Sequence, residues 1–416
     1  MGAPHKIVIL GGGTGGTLTA NRLHRELGAA ADITVVDQDD AHVYQPALLF
    51  LPFGLAAPES MIRSRAAQLH PGIHLIVAGI DRVDVPASAV VLADGGELAY
   101  DVLVVATGVR LLPEETEGLT GTGWNETAFT FYTVDGATRL RDALRDFDGG
   151  RLVVNVVDMP IKCPVAPLEF AFLADWYFTD RGIRDRVDLT FVTPLDGAFT
   201  KPVASGVLGG LLEEKGIRLE TEFATGEVDG AAGLLKSWDE REVPYDLLVT
   251  IPAHGGAEYV ERSPGLGDEL GFVPADQHTL QARCAPNVFV IGDAANVPTS
   301  KAGSVTHFEG ETLVRNIAHH LAGEPLEPRF DGHANCFIET GFSKALLIDF
   351  NYDTEPLPGR YPEPHVGPLP LLRESRMNHM GKLMFEWVYW HALLPGREIP
   401  GIGDQMQMAG KHRPDE

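Results

Sequence analysis

Positive charge is scarce in this chain: 33 Lys and Arg stand against 58 Asp and Glu, a net charge of −25. A surface of that sign repels nucleic acid and anionic lipid headgroups, so no nucleic-acid partner is expected. Cysteine is scarcer still. Three cysteines in 416 residues are too few for a disulfide scaffold and leave reactive or buried thiols. No run of 18 apolar residues occurs, so no helix is expected to cross a membrane. No repeat of solenoid period and no low-complexity tract is present. The first glycine motif begins so near Met1 that no signal peptide is expected before it. What remains, 44% apolar residues over this length, fits a globular chain of about two to three domains with a large core.

The stretch that organises the rest is Lys6 to Gly16, KIVILGGGTGG. Ile7 to Leu10 form a short apolar run, as in a strand buried on both faces. Gly11, Gly13 and Gly16 follow at the spacing G-x-G-x-x-G. The first permits a tight turn, the second lets backbone approach a pyrophosphate, and the third lets a helix pack close to the strand. That helix is predicted from about Gly16 to Leu27, its N-terminus facing the phosphates. A second apolar run, Ile33 to Val36, ends at Asp37, about twenty residues past Gly16, where an acid binds a ribose hydroxyl. A dinucleotide site is therefore expected at the N-terminus.

Beyond it, HVYQPALLFLPFG (residues 42 to 54) is too apolar for a surface loop and reads either as a cofactor-pocket wall or as plain core. Residues 73 to 85 alternate as a strand, and Asp94-Gly95-Gly96 reads as a hairpin turn. Asp101 to Gly108 is a buried strand ending in Ala-Thr-Gly. Arg151 to Val157 looks like the first strand of a second nucleotide-type fold. The turn after it, Asp158-Met-Pro-Ile-Lys-Cys-Pro-Val-Ala-Pro167, has three prolines and no glycine. Prolines remove N–H donors, so the strand is kept while the nucleotide site is expected to be lost. Cys163 stands in its place, before an apolar helix predicted over Leu168 to Phe178. Further strands are expected at Val187–Val192, Ile217–Leu219 and Asp246–Pro252, with a helix from Ser205 to Lys215 stopped by Gly216.

Asn287 to Asp293 is a strand ending in Gly-Asp, followed by a helix from about Gly303 to Leu321. Together with the N-terminal motif this favours FAD over NAD. Asp293 would take a hydrogen bond from the ribityl chain, or act as an ordinary helix cap. The helix N-terminus would favour reduced, anionic flavin. A loop-rich stretch, Leu357 to Leu369, precedes Met377 to Leu394, MNHMGKLMFEWVYWHALL. At 100° per residue His379, Lys382 and Glu386 share one face and the remainder is nearly all apolar. Residues 371 to 416 hold six Lys/Arg and six Asp/Glu, so this tail is neutral. It suits a helix dipped into lipid. A helix buried against the body or against a second copy is the other reading.

These pieces together resemble the sulfide:quinone oxidoreductases, relatives of the flavocytochrome c sulfide dehydrogenase flavoproteins. The carriers are Gly11 to Gly16 with Asp37, Pro-Ile-Lys-Cys163-Pro-Val-Ala-Pro, Gly292 to Gly303 (GDAANVPTSKAG), His333-Ala-Asn-Cys336-Phe-Ile-Glu-Thr-Gly-Phe342, and Met380-Gly-Lys382. The two cysteine motifs are the specific part. The resemblance implies an α/β chain with two Rossmann-like domains and a C-terminal amphipathic helical region in contact with a membrane. The FAD domain would be discontinuous (1–110 and 285–325), the second domain would span 111–284, and the quinone and membrane region 326–416.

It implies FAD held by Gly11, Gly13, Gly16, Asp37, Gln45, Thr107, Gly108, Gly292, Asp293 and Lys301. Many members carry a further cysteine around the position of Trp124 to Phe131; none is present here, so FAD is expected to be non-covalent. Some have a histidine in the loop matching Asp196 to Phe199, and this loop has none. Cys163 and Cys336 would meet over the flavin as a redox pair, with Cys284 structural. Hydrosulfide would attack their disulfide, and Cys163, at a helix N-terminus, would be the low-pKa thiolate. Phe337, Lys382 and Phe385 would line a quinone site. Lys382 is open to a second reading, a surface pair with Glu386. Glu169, one helical turn past Cys163, is either a proton carrier or a solvated or helix-start acid. The partners implied are sulfide and a membrane quinone, with peripheral association at the cell membrane and a possible homo-oligomer. A type-II NADH:quinone dehydrogenase and a flavoprotein subunit donating to a cytochrome are the alternatives; the first needs a glycine fingerprint after Val157, which is missing.

Overall fold

The computed structural model describes residues 3–362, 367–397, 399 and 402–412. In chain order its principal elements begin with β1 (His5–Leu10), α1 (Thr14–Leu27), β2 (Ala31–Asp37), β3 (His74–Val77), β4 (Val102–Val105) and β5 (Ala128–Phe129). They continue with β6 (Gly150–Val156), α2 (Ala166–Asp180), β7 (Val187–Val192), β8 (Arg218–Glu220) and β9 (Leu247–Ile251). Last come β10 (Val288–Val290), α3 (Gly303–Ala322), the hairpin β11 (Ala334–Gly341) and β12 (Lys344–Phe350), and α4 (Arg376–Val388).

Two five-stranded parallel sheets carry the molecule. The first has the order β10-β4-β1-β2-β3, the second β5-β9-β6-β7-β8. The strands β4, β9 and β10 are buried throughout, and β1 and β6 over all but their first two residues, because helices and loops cover both faces. In each sheet the chain leaves the middle strand, β1 or β6, toward one side and later returns on the other, which opens a crevice at that strand's C-terminal end. In the first sheet the crevice follows β1 and holds the glycine turn. In the second it follows β6 and holds residues 158–167.

Glycine is required at two positions of the first turn. Gly11 has φ +92°, and a Cβ there would lie 2.5 Å from the Ala106 carbonyl oxygen. A Cβ at Gly16 would lie 1.8 Å from the Gly11 carbonyl oxygen, so only glycine lets α1 pack this close. The single strand expected over residues 73 to 85 is broken. Its first half is β3 of the parallel sheet, and its second half, Ile80–Asp84, belongs to a separate antiparallel three-stranded sheet. The two halves flank Ala78-Gly79, where the chain changes sheets, so one alternating pattern served two partners.

The C-terminal segment folds back over the nucleotide end of the molecule. α4 runs into a wider turn over Tyr389–Leu393. There the Tyr389 hydroxyl lies 2.8 Å from Thr14 Oγ1 and 2.7 Å from His42 Nε2, and Asn21 donates to the Leu394 carbonyl. Part of the expected loop-rich stretch, residues 363–366, lies outside the described residues; on either side of it Gly359–Tyr361 pairs with Leu369–Leu371. Further on, Lys411 reaches Asp349 of β12 at 2.5 Å, both side chains almost wholly buried, and His333 pairs with the same carboxylate at 2.8 Å. Burial alone would raise the Asp349 pKa, but His333 and Lys411 hold it below the usual carboxylate range. Removing Lys411 leaves the buried Asp349 carboxylate with His333 but without its lysine. Lys411→Met is therefore expected to destabilise the fold by about 3–5 kcal/mol, read by urea unfolding.

Candidate functional site

A single cavity of about 810 Å³ runs from the glycine turn to α4. Gly11, Gly13, Asp37, Gln45, Thr107, Gly108, Gly292, Asp293 and Lys301 line it, as do Cys163, Cys336, Glu169, Phe337, Lys382 and Phe385. Gly16 lies beneath the turn, packed on the Gly11 carbonyl, rather than in the wall. Residues 41 to 50 supply one flank, including Tyr44, Leu48 and Phe50, so the aromatic stretch is wall and core at once.

The nucleotide end fits a dinucleotide. A Cβ on Gly13 would meet nothing within 4 Å, so the backbone there is open to the cavity. α1 and α3 both begin without a side-chain cap, leaving their first N–H groups for a ligand. Asp37 accepts from the Gly12 N–H at 2.6 Å and pairs with Arg65 at 3.1 Å. Arg65, buried to 5% exposure, also bonds the Gly12 carbonyl and Asp39, fixing the loop around the acid. No spacing in the sequence marked Arg65. At the other end of the crevice, burial pushes the Asp293 carboxyl up while Lys301 and Lys162 oppose the shift. The Lys301 ammonium donates to the Asp293 and Ala295 carbonyls. Glu309, pushed up to about 7 by burial, holds the Gly292 N–H at 2.7 Å.

Cys163 has φ +49°, a left-handed conformation costly for a residue with a Cβ and concentrated at functional sites. It is held there because its N–H donates to the Lys301 carbonyl at 2.6 Å, and its own carbonyl accepts from Ala166 and the Tyr132 hydroxyl. Cys336 enters from β11. Both are free thiols here rather than a disulfide. Burial pushes the Cys163 thiol well above its ordinary value, with Glu169 adding to the shift, and pushes Cys336 up to about 12. This corrects the expectation of a lowered Cys163 pKa. Desolvation and a neighbouring carboxylate outweigh the start of α2.

Glu169 lies in the first turn of α2, as its helix-start reading has it, but is 1% exposed rather than solvated, and Lys382 pairs with it rather than with Glu386. Glu169 further accepts the Glu339 N–H at 2.6 Å, and the Lys382 ammonium lies 3.5 Å from the Phe337 carbonyl and 5.5 Å from the centre of the Phe50 ring. Burial works to lower the Lys382 pKa, but Glu169 and Glu339 hold it above the usual lysine value. Since Glu169 raises both thiols, Glu169→Gln is expected to bring them down. Their alkylation at pH 8, followed by mass spectrometry, should quicken by roughly tenfold per unit of pKa recovered.

Residues 5–156 match the family model of the pyridine nucleotide-disulphide oxidoreductases. The mitochondrial sulfide:quinone oxidoreductase of Dictyostelium discoideum is 28% identical over 94% of this chain and 86% of its own length, and that of Mus musculus 26% over 94% and 87%. The crystal structure of the sulfide:quinone oxidoreductase from Aquifex aeolicus superposes with a TM-score of 0.80 at 20% identity, covering 94% of this chain and 92% of that one. With glycine crevice, cysteine crevice and aromatic–lysine end opening on one cavity, the chain is similar to the sulfide:quinone oxidoreductases over nearly its whole length.

Proposed function

We propose that the protein oxidises sulfide through Cys163 and Cys336 and passes the electrons, by way of non-covalently bound FAD, to a membrane quinone. The observation that carries this reading is the convergence of both cysteines, the dinucleotide crevice and the Phe337–Lys382–Phe385 group on one cavity. With the two thiols oxidised to a disulfide, hydrosulfide attacks one sulfur; a persulfide forms and the other cysteine leaves as thiolate carrying the bonding pair. FAD, when bound, supplies the two-electron sink for that pair and its relay to quinone. The buried thiolate is a poor resting state, which favours onward transfer of its electrons. Lys382 opposes the rise in both thiol pKa values and, at the far end, would hold negative charge on a quinone oxygen. Phe337 and Phe385 would flank the quinone ring.

An NADH-dependent activity is disfavoured because the crevice after β6 presents Cys163 and prolines where a glycine turn would seat the nucleotide. Anaerobic sulfide is expected to bleach the flavin, and a short-chain quinone to restore it. Cys163→Ser and Cys336→Ser should each abolish bleaching by sulfide. Bleaching by NADH but not by sulfide would overturn the reading.

The membrane contact rests on α4. With Lys382 and His379 turned inward, its outer face carries Met377, Met380, Leu383, Met384 and Trp387, the last two 62% and 64% exposed. No helix among the described residues is long and apolar enough to cross a membrane. A stripe at i, i+3, i+6, i+7 and i+10 instead lies flat in the interface. The double variant Met384→Glu, Trp387→Glu is expected to lose co-sedimentation with zwitterionic vesicles by on the order of tenfold or more while keeping its reaction with soluble quinone.

A further inference from the structure

The cavity wall at the Lys382 end is backed by two groups that do not themselves line it. Glu339 lies two residues past Phe337 on β11, hence on the same face of the strand. His379 precedes Lys382 by one turn of α4. His379 Nδ1 lies 2.9 Å from Glu339 Oε1 and 3.0 Å from Oε2. The Glu339 side chain is 1% exposed and that of His379 20%. The polar groups therefore form a row: solvent, His379, Glu339, then the Lys382–Glu169 pair at the cavity. Glu339 is faced electrostatically by Lys382 and His379 from α4 and by Glu169 from α2. Lys382 is faced by Glu169, Glu339 and the Cys163 thiol.

We propose that His379 and Glu339 are the proton entry to the quinone end of the cavity, a relay that recharges Lys382 from solvent. The proposal rests on the quinone reading above. Reduction of a quinone takes an electron pair, here from reduced flavin, and two protons. Lys382 gives a proton to the quinone oxygen as charge develops there. Its ammonium is then rebuilt by a proton passed from the His379 imidazolium through the Glu339 carboxylate, and His379 takes its proton from water. The cycle runs twice per quinone and leaves every side chain as it began. A seated quinone between Phe337 and Phe385 shuts bulk water out of the wall, so Lys382 needs a route from behind. Burial raises the Glu339 pKa, with Lys382 and His379 opposing, which suits a carboxylate that takes up and releases a proton.

The test uses the flavin-loaded protein, reduced by light rather than by sulfide, then mixed rapidly with a short-chain quinone or with ferricyanide, which takes electrons without protons. Glu339→Gln and His379→Gln are expected to slow reoxidation by quinone about tenfold to a hundredfold and to leave reoxidation by ferricyanide within about twofold. Proton uptake, followed with an indicator dye, should lag in step with the quinone reaction. Added imidazole should restore most of the His379→Gln rate and none of the Glu339→Gln rate. Quinone rates in both variants within about twofold of the unaltered protein, or equal slowing with both oxidants, would overturn the relay and leave the quinone reading standing. Failure of the unaltered reduced protein to react with quinone would overturn that reading itself, and the relay with it.

Discussion

The buried pair of Glu169 and Lys382 is the interaction on which the site depends. It ties α2 to α4, and through the Glu339 N–H it ties both to β11. Taking two charges out of water costs several kcal/mol per ion, so the pair holds only because further groups satisfy it. The strand amide, the Phe337 carbonyl and the nearby Glu339 carboxylate do this. The pair also fixes the rotation of α4. Once Lys382 is drawn inward, the methionines and tryptophan of that helix have nowhere to go but outward. One buried contact thus sets the chemistry at the cavity and the apolar character of the surface outside it.

The two doubly wound sheets make complementary use of one geometry. Each opens a crevice at the C-terminal end of its middle strand. In the first sheet glycine fills the turn, because close approach of backbone to helix and ligand leaves no room for a Cβ. In the second, cysteine occupies the corresponding place in a strained conformation held by the Lys301 carbonyl. That hydrogen bond joins the cysteine turn to the segment leading into α3. The sulfur and the cofactor crevice are therefore positioned by the same short stretch of backbone.

The environment of the thiols shows why burial decides reactivity. A nearby lysine favours a thiolate, yet desolvation and Glu169 prevail and both thiol pKa values are raised. A thiolate formed there would be destabilised by the same desolvation. Acidity in this site is a consequence of how tightly the walls close, not of which residues flank the cysteine in the chain.

The sequence by itself determined the first β-turn-α unit, the order of the buried strands and the absence of glycine after β6. These are local matters: a run of branched residues, a glycine where φ is positive, a proline where an N–H would be needed. It also marked Cys163, Cys336, Phe337, Lys382 and Phe385, through motifs that name residues without joining them. Only the tertiary structure decided that they share one cavity, that the strand pattern over 73 to 85 splits between two sheets, and that Arg65, Tyr389, Glu339 and His379 belong to the site's frame. The reason is physical. Burial and charge pairing depend on which distant segments meet, and periodicity along one segment carries no record of its partner. Lys382 has two apparent mates on paper, Glu386 one turn away and Glu169 more than two hundred residues back, and packing chose the distant one.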